Sequence, residues 1–135
     1  MKVRKLVRNE EGAAVIEIAF ALPILITLIW MVVQLGLVFR AMSGIQHALG
    51  EGAREGTLWK VGGVDPAEIE AQMEAAVYGI GPGTFEILPP KAGTDDGSDY
   101  LDLVVTYTQP TDLLIFPGPT ISVTRSKRVW VAESA

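Results

Sequence analysis

The longest hydrophobic segment of the chain lies near its N-terminus, between Gly12 and Phe39. From Ile18 onwards this segment has 22 residues without a charged side chain, and nearly all of them are apolar. An α-helix rises about 1.5 Å per residue, so that run would be about 33 Å long and would cross the hydrocarbon core of a bilayer. We therefore predict a membrane-spanning helix over residues 13–39. Pro23 is expected to bend its first third, which a membrane helix tolerates when neighbouring groups satisfy the freed carbonyl.

Two polar side chains, Thr27 and Gln34, interrupt the apolar surface of this helix. One interpretation is that they hydrogen-bond to their own backbone or reach towards the membrane surface. The other is that they mark the face turned towards other helices, where small and polar residues gather in membrane proteins. Both interpretations are compatible with the sequence.

The apolar periodicity continues beyond the hydrophobic segment, but there it occupies only one face of a helix. Polar and charged residues lie between apolar positions three and four residues apart. This spacing is typical of an amphipathic helix that packs on a folded domain. We predict one continuous helix over residues 13–54, with Gly50, Gly52 and Gly56 weakening its end. The positions expected to face the domain are Ala41, Met42, Ile45, Ala48, Leu49 and Ala53.

A second, shorter helix is predicted to begin after Asp65. This aspartate is a favourable N-cap, Pro66 suits the first helical position, and Glu68 completes a pattern like a capping box. Gly79 and the Gly-Pro-Gly sequence that follows it are expected to end the helix. Its apolar stripe is predicted to lie in the core and comprises Ile69, Met73, Ala76, Val77 and Ile80.

Beyond the second helix the apolar positions alternate with a period of two, which is typical of strands with one buried face. Three strands are predicted, over residues 84–88, 100–109 and 120–131. The fold class is therefore α+β, with a long N-terminal helix, a short second helix and a small, mainly antiparallel sheet. The inward positions of the last two strands are Leu101, Leu103, Val105, Tyr107, Ile121, Val123, Val129 and Val131.

Prolines and charges set the expected limits of these strands. Pro89 and Pro90 are expected to end the first strand, because proline cannot donate to a strand ladder. The segment 111–119 is apolar but contains two prolines after its centre, and we expect it to pack as a loop. Arg125 and Lys127 interrupt the inward face of the third strand, so its middle should lie at an edge or an open rim.

The charge distribution predicts how the chain is oriented in a membrane. The net charge is −5, but residues 1–12 carry +2 and residues 40–135 carry −6. Basic residues beside a spanning helix stay in the cytoplasm, so we predict a cytoplasmic N-terminus and an exported domain over residues 40–135. A cleavable secretory signal fits less well, because its hydrophobic region is ordinarily about 7–15 residues long. An acidic domain is also a poor partner for nucleic acid.

The sequence offers little for catalysis or metal binding. His47 is the only histidine and there is no cysteine, so no familiar zinc spacing exists. The acidic segment from Asp95 to Asp99 is interpreted as a solvated turn, with Ca²⁺ binding as the alternative, although it lacks the EF-hand spacing. No nucleophile elbow, phosphate-binding loop or dinucleotide motif is present. We therefore predict a protein that is not an enzyme and that uses no cofactor.

One pattern at the N-terminus resembles a known family. A short basic leader ends at Gly12, and AAVIE follows, with Glu17 as the fifth residue after the glycine. This arrangement resembles a type IV prepilin, and more narrowly the TadE-like minor pilins, or pseudopilins, of the tight-adherence (Flp pilus) system. The element Glu51-Gly52-Ala53-Arg54 after the membrane helix is similar to one in that family. So is the ending LVVTYTQPTDLLIFPGPTISVTRSKRV, which resembles the closing hairpin of the family.

The resemblance implies a processing site and a charge pair. A prepilin peptidase would cut between Gly12 and Ala13, so that residues 1–12 are a leader peptide. Cleavage would leave an α-amine on Ala13, which is largely cationic at pH 7 because its reference pKa is about 8. Glu17 would then pair with this amine, on the same subunit or on a neighbour, during assembly. The implied partners are other pilins, the assembly platform, the prepilin peptidase and the lipid bilayer.

The sequence thus predicts a minor pilin that takes part in assembly of a tight-adherence pilus or a related secretion apparatus. It would be a single-pass protein of the inner membrane that can be incorporated into an extracellular pilus. A general type IV pilin or type II secretion pseudopilin is the nearest alternative. The alternative from another class is an uncleaved single-pass protein whose outer domain binds an envelope component or ligand.

Overall fold

A computed structural model describes residues 10–58, 65–114 and 116–131. Most of the predicted leader lies outside the described residues. Within these residues two helices and three strands follow one another, and the strands form one antiparallel sheet in the order β1-β2-β3. The predicted α+β fold class is confirmed. The elements are α1 (Glu10–Thr57), α2 (Pro66–Val77), β1 (Thr84–Asp95), β2 (Ser98–Asp112) and β3 (Pro117–Trp130).

α1 is a continuous helix of 48 residues and contains Pro23. At 1.5 Å per residue it is about 72 Å long, more than twice the thickness of a hydrocarbon core. It is long and apolar enough to cross a membrane, with a mean hydropathy of 2.4 in its most apolar window. Thr27 donates its hydroxyl to the carbonyl of Pro23 at 2.8 Å, which confirms the interpretation that it bonds to its own backbone.

α2 begins as its sequence predicts. The Asp65 side chain accepts a hydrogen bond from the backbone N–H of Ala67 at 2.9 Å, so it satisfies one donor of the first turn. Three apolar residues of the stripe, Ile69, Met73 and Val77, are buried between α1 and the sheet. This helix therefore covers one side of the C-terminal half of α1.

The sheet supplies the other wall of the core. β2 is the central strand, and its inward side chains Leu101, Leu103, Val105 and Tyr107 are all buried, as predicted. The Tyr107 hydroxyl donates to Gln109 at 2.7 Å and accepts from the backbone of Gly83 at 3.0 Å, so its buried polar atom is satisfied. The predicted inward face of α1 meets these residues, and its buried members are Ala41, Ile45, Ala48 and Leu49.

The predicted strand limits were wrong at the prolines. β1 runs past Pro89 and Pro90 to Asp95, with an irregularity in its register between Leu88 and Lys91. An edge strand tolerates prolines there, because a bulge and an outward-facing position need no ladder donor. β3 likewise begins at Pro117, inside the segment expected to be a loop. Arg125 and Lys127 are exposed on β3, which is an edge strand as expected.

The glycines near the end of α1 do not interrupt the helix, which ends slightly beyond the predicted Arg54. α1 continues through them to Thr57. Gly52 is buried, and a Cβ atom placed there would lie 2.6 Å from the sulfur of Met73 and 3.0 Å from a methyl carbon of Leu103. Gly50 is exposed and has open space around it. Gly52 therefore allows α1 to approach α2 and β2 closely.

Candidate functional site

The N-terminal part of α1 carries a large exposed apolar surface. Large apolar side chains are exposed along it, including Val15 at 67%, Phe20 at 73% and Val32 at 68%. Soluble monomers rarely expose contiguous apolar patches of more than a few hundred Å². This surface therefore needs lipid or other protein chains to cover it.

The predicted processing and pairing residues lie at the start of this surface. The Gly12–Ala13 peptide bond lies within the first turn of α1, since the helix begins at Glu10. Glu17 is exposed and lies four residues after Ala13, so the two share one face of the helix. No described residue pairs with the Glu17 carboxylate. Cleavage after Gly12 and the pairing of Glu17 with the Ala13 amine stay predictions.

A second feature joins α1 to the turn between β2 and β3. Gln34 is 8% exposed, and its carboxamide pairs with both backbone polar groups of Asp112. It accepts from the Asp112 N–H at 3.1 Å and donates to the Asp112 carbonyl. Neither sequence interpretation of Gln34 was right, because its partner is the backbone of Asp112, 78 residues further along the same chain.

Trp30 strengthens this junction from the next turn of α1. Its indole N–H donates to a carboxylate oxygen of Asp112 at 3.1 Å. The same oxygen accepts from the backbone N–H of Leu114 at 2.9 Å. The sequence did not predict this cluster. The signal for it was the i, i+4 spacing of Trp30 and Gln34 within an otherwise apolar helix.

The segment after the membrane helix has a structural role. Arg54 donates to Glu51 at 3.0 Å across one turn of α1, on an exposed face. Between them Gly52 faces the core, so the element Glu51–Arg54 combines a polar outer face with a close approach of α1 to α2 and β2. These residues hold the domain on the helix.

Residues 12–54 match the family model described as TadE-like protein. Over this segment, the chain is TadE-like. The segment begins at the glycine of the predicted cleavage site and ends at the arginine of the Glu51–Arg54 element. It thus contains both the exposed apolar part of α1 and the part that packs on the domain. No curated protein and no solved structure matches the chain.

Outside the TadE-like segment, the sheet carries one cluster of charges. Arg128 binds Asp102 in a two-pronged contact at 2.9 and 3.2 Å, reaches Asp95 at 3.5 Å, and lies 3.8 Å over the ring of Tyr100. The hydrogen bond from Arg128 lowers the pKa of Asp102, and the same bond raises the pKa of Arg128. The arrangement ties β1, β2 and β3 together at an exposed face.

The acidic segment forms a tight turn, and the histidine lies on the surface of α1. Asp96 and Gly97 both have positive φ and make a two-residue turn between β1 and β2. Asp99 accepts from the hydroxyl of Thr94 at 2.7 Å across this turn. His47 is exposed on α1. The described residues hold no group of three or more histidine, cysteine, aspartate or glutamate side chains placed for a metal.

Proposed function

We propose that this TadE-like chain is a minor pilin, or pseudopilin, that takes part in assembly of a tight-adherence (Flp-type) pilus or a related secretion apparatus. The observation that carries the proposal is the division of the TadE-like helix into two surfaces. Its first part exposes apolar side chains, whereas the part beyond Val38 buries one face on the domain. A subunit that is held in a membrane and later packs against other helices needs such a division.

The proposal assigns a role to each end of the exposed part. Lipid covers the apolar surface before assembly, and helices of neighbouring subunits cover it afterwards. The prepilin peptidase cuts after Gly12 and frees the amine of Ala13. Glu17 lies one turn away on the same face and neutralises that amine, or the amine of a neighbour, when the helices pack together.

The charges on the chain support a cytoplasmic N-terminus and an exported domain. Residues 1–12 carry +2 and residues 40–135 carry −6, which fits the positive-inside rule. In this orientation the leader meets the peptidase and the assembly platform at the inner membrane, and the domain faces outwards. The acidic domain makes nucleic acid an unfavourable partner, and we assign the chain a structural rather than a catalytic role.

Replacing Glu17 tests whether assembly depends on the charge pair. Glu17→Gln should insert and be cleaved normally but fail to restore pilus formation or secretion in a deletion strain. Breaking a buried ion pair by removing one partner costs about 3–5 kcal/mol, which a polymer of weakly bound subunits cannot absorb. Glu17→Asp should have an intermediate effect, because the charge remains but its reach is shorter.

The matched control is Glu74→Gln, which removes the same charge from an exposed position on α2. This variant should complement the deletion fully. Membrane abundance of each variant is measured in parallel, so that a loss of assembly is separated from a loss of protein. Full complementation by Glu17→Gln at normal abundance would contradict the proposed pairing.

A further inference from the structure

The turn between β2 and β3 contacts α1 within its hydrophobic segment. Through Asp112 it binds Trp30 and Gln34, both of which lie inside the hydrophobic segment. A hydrocarbon core about 30 Å thick spans 20 residues of helix, so it would end near residue 33 if it began at Ala13. It would end near residue 38 if it began at Ile18. Trp30 then lies about 4 to 12 Å inside the core on the side of the domain.

The end of this turn is apolar and exposed. We call Leu113, Leu114 and Phe116 the hairpin tip. Leu114 is 53% exposed and Phe116 is 68% exposed. Asp112 is the only charged residue between Gln109 and Thr124. A turn on a water-exposed surface ordinarily carries polar residues, so this composition is unusual for a hairpin.

Several polar groups in the described part of this turn are paired within the chain. Gln34 pairs with both backbone groups of Asp112, and the Leu113 N–H donates to the carbonyl of Phe116 at 2.8 Å. The Leu114 N–H donates to the Asp112 carboxylate, which also accepts from Trp30. Pro117, the next residue, has no N–H to satisfy. Irregular backbone at membrane depth is tolerated where protein covers it, and here α1 covers one side of the turn through Trp30 and Gln34.

We propose that the hairpin tip is a second membrane-inserted element, which enters the domain-side leaflet beside α1 and contacts lipid acyl chains through Leu114 and Phe116. This inference rests on the proposed location of α1 in a membrane. The occupant is lipid because the turn lies against the apolar part of α1, where Met31, Leu35 and Leu113 line one groove between them. Trp30 bridges the two and has the amphipathic side chain that membrane interfaces favour.

Insertion of the hairpin tip would hold the domain at a fixed height and rotation. A helix alone allows a domain to rotate about the helix axis and to tilt with the helix. A second apolar contact on one side of α1 restricts both motions. The domain then presents the same face to every partner that reaches it along the membrane.

The absence of cysteine from the chain allows a direct test on the full-length protein. Single variants Phe116→Cys, Ser98→Cys and Ile24→Cys are labelled with a nitroxide and placed in phosphatidylcholine–phosphatidylglycerol nanodiscs at one copy per disc. Electron paramagnetic resonance then compares collisions with oxygen, which enriches in hydrocarbon, and with a water-soluble nickel chelate. Ser98 is the matched control, because it is the first residue of β2, next to the turn between β1 and β2, and is also exposed.

The ratio of oxygen to nickel accessibility at Phe116→Cys should be several-fold higher than at Ser98→Cys and close to that at Ile24→Cys. An aqueous ratio at Phe116→Cys together with a hydrocarbon ratio at Ile24→Cys would overturn this inference and leave the proposed function standing. An aqueous ratio at Ile24→Cys would overturn both. A second set of discs holds two or more copies. A ratio at Phe116→Cys that is high only in this second set would overturn the inference, because a second subunit and not lipid would then cover the tip.

Discussion

A single methyl group at Gly52 tests how closely α1 approaches the domain. The change is Gly52→Ala, and its matched control is Gly50→Ala two residues earlier in the same helix. Each variant gains helix propensity, which stabilises a helix interior by about 1 kcal/mol. Only at Gly52 does the new methyl meet other atoms, because the space around Gly50 is open.

The magnitude follows from the contacts at Gly52. The added carbon would lie 2.6 Å from the sulfur and 2.7 Å from Cγ of Met73, and 3.0 Å from a methyl carbon of Leu103. Both residues are fully buried, so neither can move into solvent. Adding a methyl to a packed core costs about 1–3 kcal/mol. Since the propensity gain is common to both variants, this cost is the expected difference between them.

Hydrogen exchange in the full-length chain measures that difference. The amides of Leu103 and Val105, in the central strand, report opening of the domain while α1 stays in a detergent micelle. Each 1.4 kcal/mol is a factor of ten, so these amides should exchange about 5 to 150 times faster in Gly52→Ala than in Gly50→Ala. Equal protection in the two variants would refute the close contact among α1, α2 and β2.

A second substitution at Met73 separates overpacking from other effects of the alanine. Met73→Ala alone should destabilise the domain by about 2–5 kcal/mol, since it leaves a cavity beside α1. In the double variant the methyl at position 52 occupies part of that cavity. The combined loss should therefore be smaller than the sum of the two single losses. Additive losses would mean that the methyl and Met73 do not compete for the same space.

Two further predictions concern processing and pH. Gly12→Lys should block cleavage by the peptidase, because a long charged side chain prevents close approach to the backbone. Intact-mass measurement should find residues 1–12 still attached. A normally shortened chain would contradict this prediction. The pKa of Asp102 is lowered by Arg128, so the stability from this pair is present above the unfolded pKa of about 3.9 and is lost as pH falls below it. The measurement compares urea midpoints at pH 6 and at pH 3, which is about one unit below that pKa. The midpoint should change less with pH in Asp102→Asn than in the parent chain or in Glu74→Gln.

Local periodicity predicted the elements that bury one face. α1, α2 and β2 each place apolar residues at the spacing of their own geometry, and those residues are the core. The Asp65 cap was also predicted correctly, because it depends on neighbours in the sequence. These features follow from interactions within a few residues.

Sequence patterns failed where the answer depended on distant neighbours. Pro89 and Pro90 are disfavoured in a central strand, yet β1 is an edge strand, and its place in the sheet is not a local property. Gln34 is another example, since its partner Asp112 lies 78 residues away. A polar residue in an apolar helix signals a partner, but the sequence does not say where the partner is. The candidate site at Glu17 was found from spacing and family resemblance alone.

The two parts of α1 differ in what covers them, and this difference explains why one carboxylate can decide assembly in the proposed function. Beyond Val38 the domain covers one face of α1. No part of the described chain covers α1 before Trp30, so a bilayer or a set of packed helices must cover that surface. The apolar surface of α1 is buried both in lipid and in a helix bundle. The hydrophobic effect therefore contributes little to the transfer of the helix from lipid to the bundle. Side-chain packing and charge pairing must then supply the free energy of assembly, and Glu17 is the only charged residue within residues 13–39.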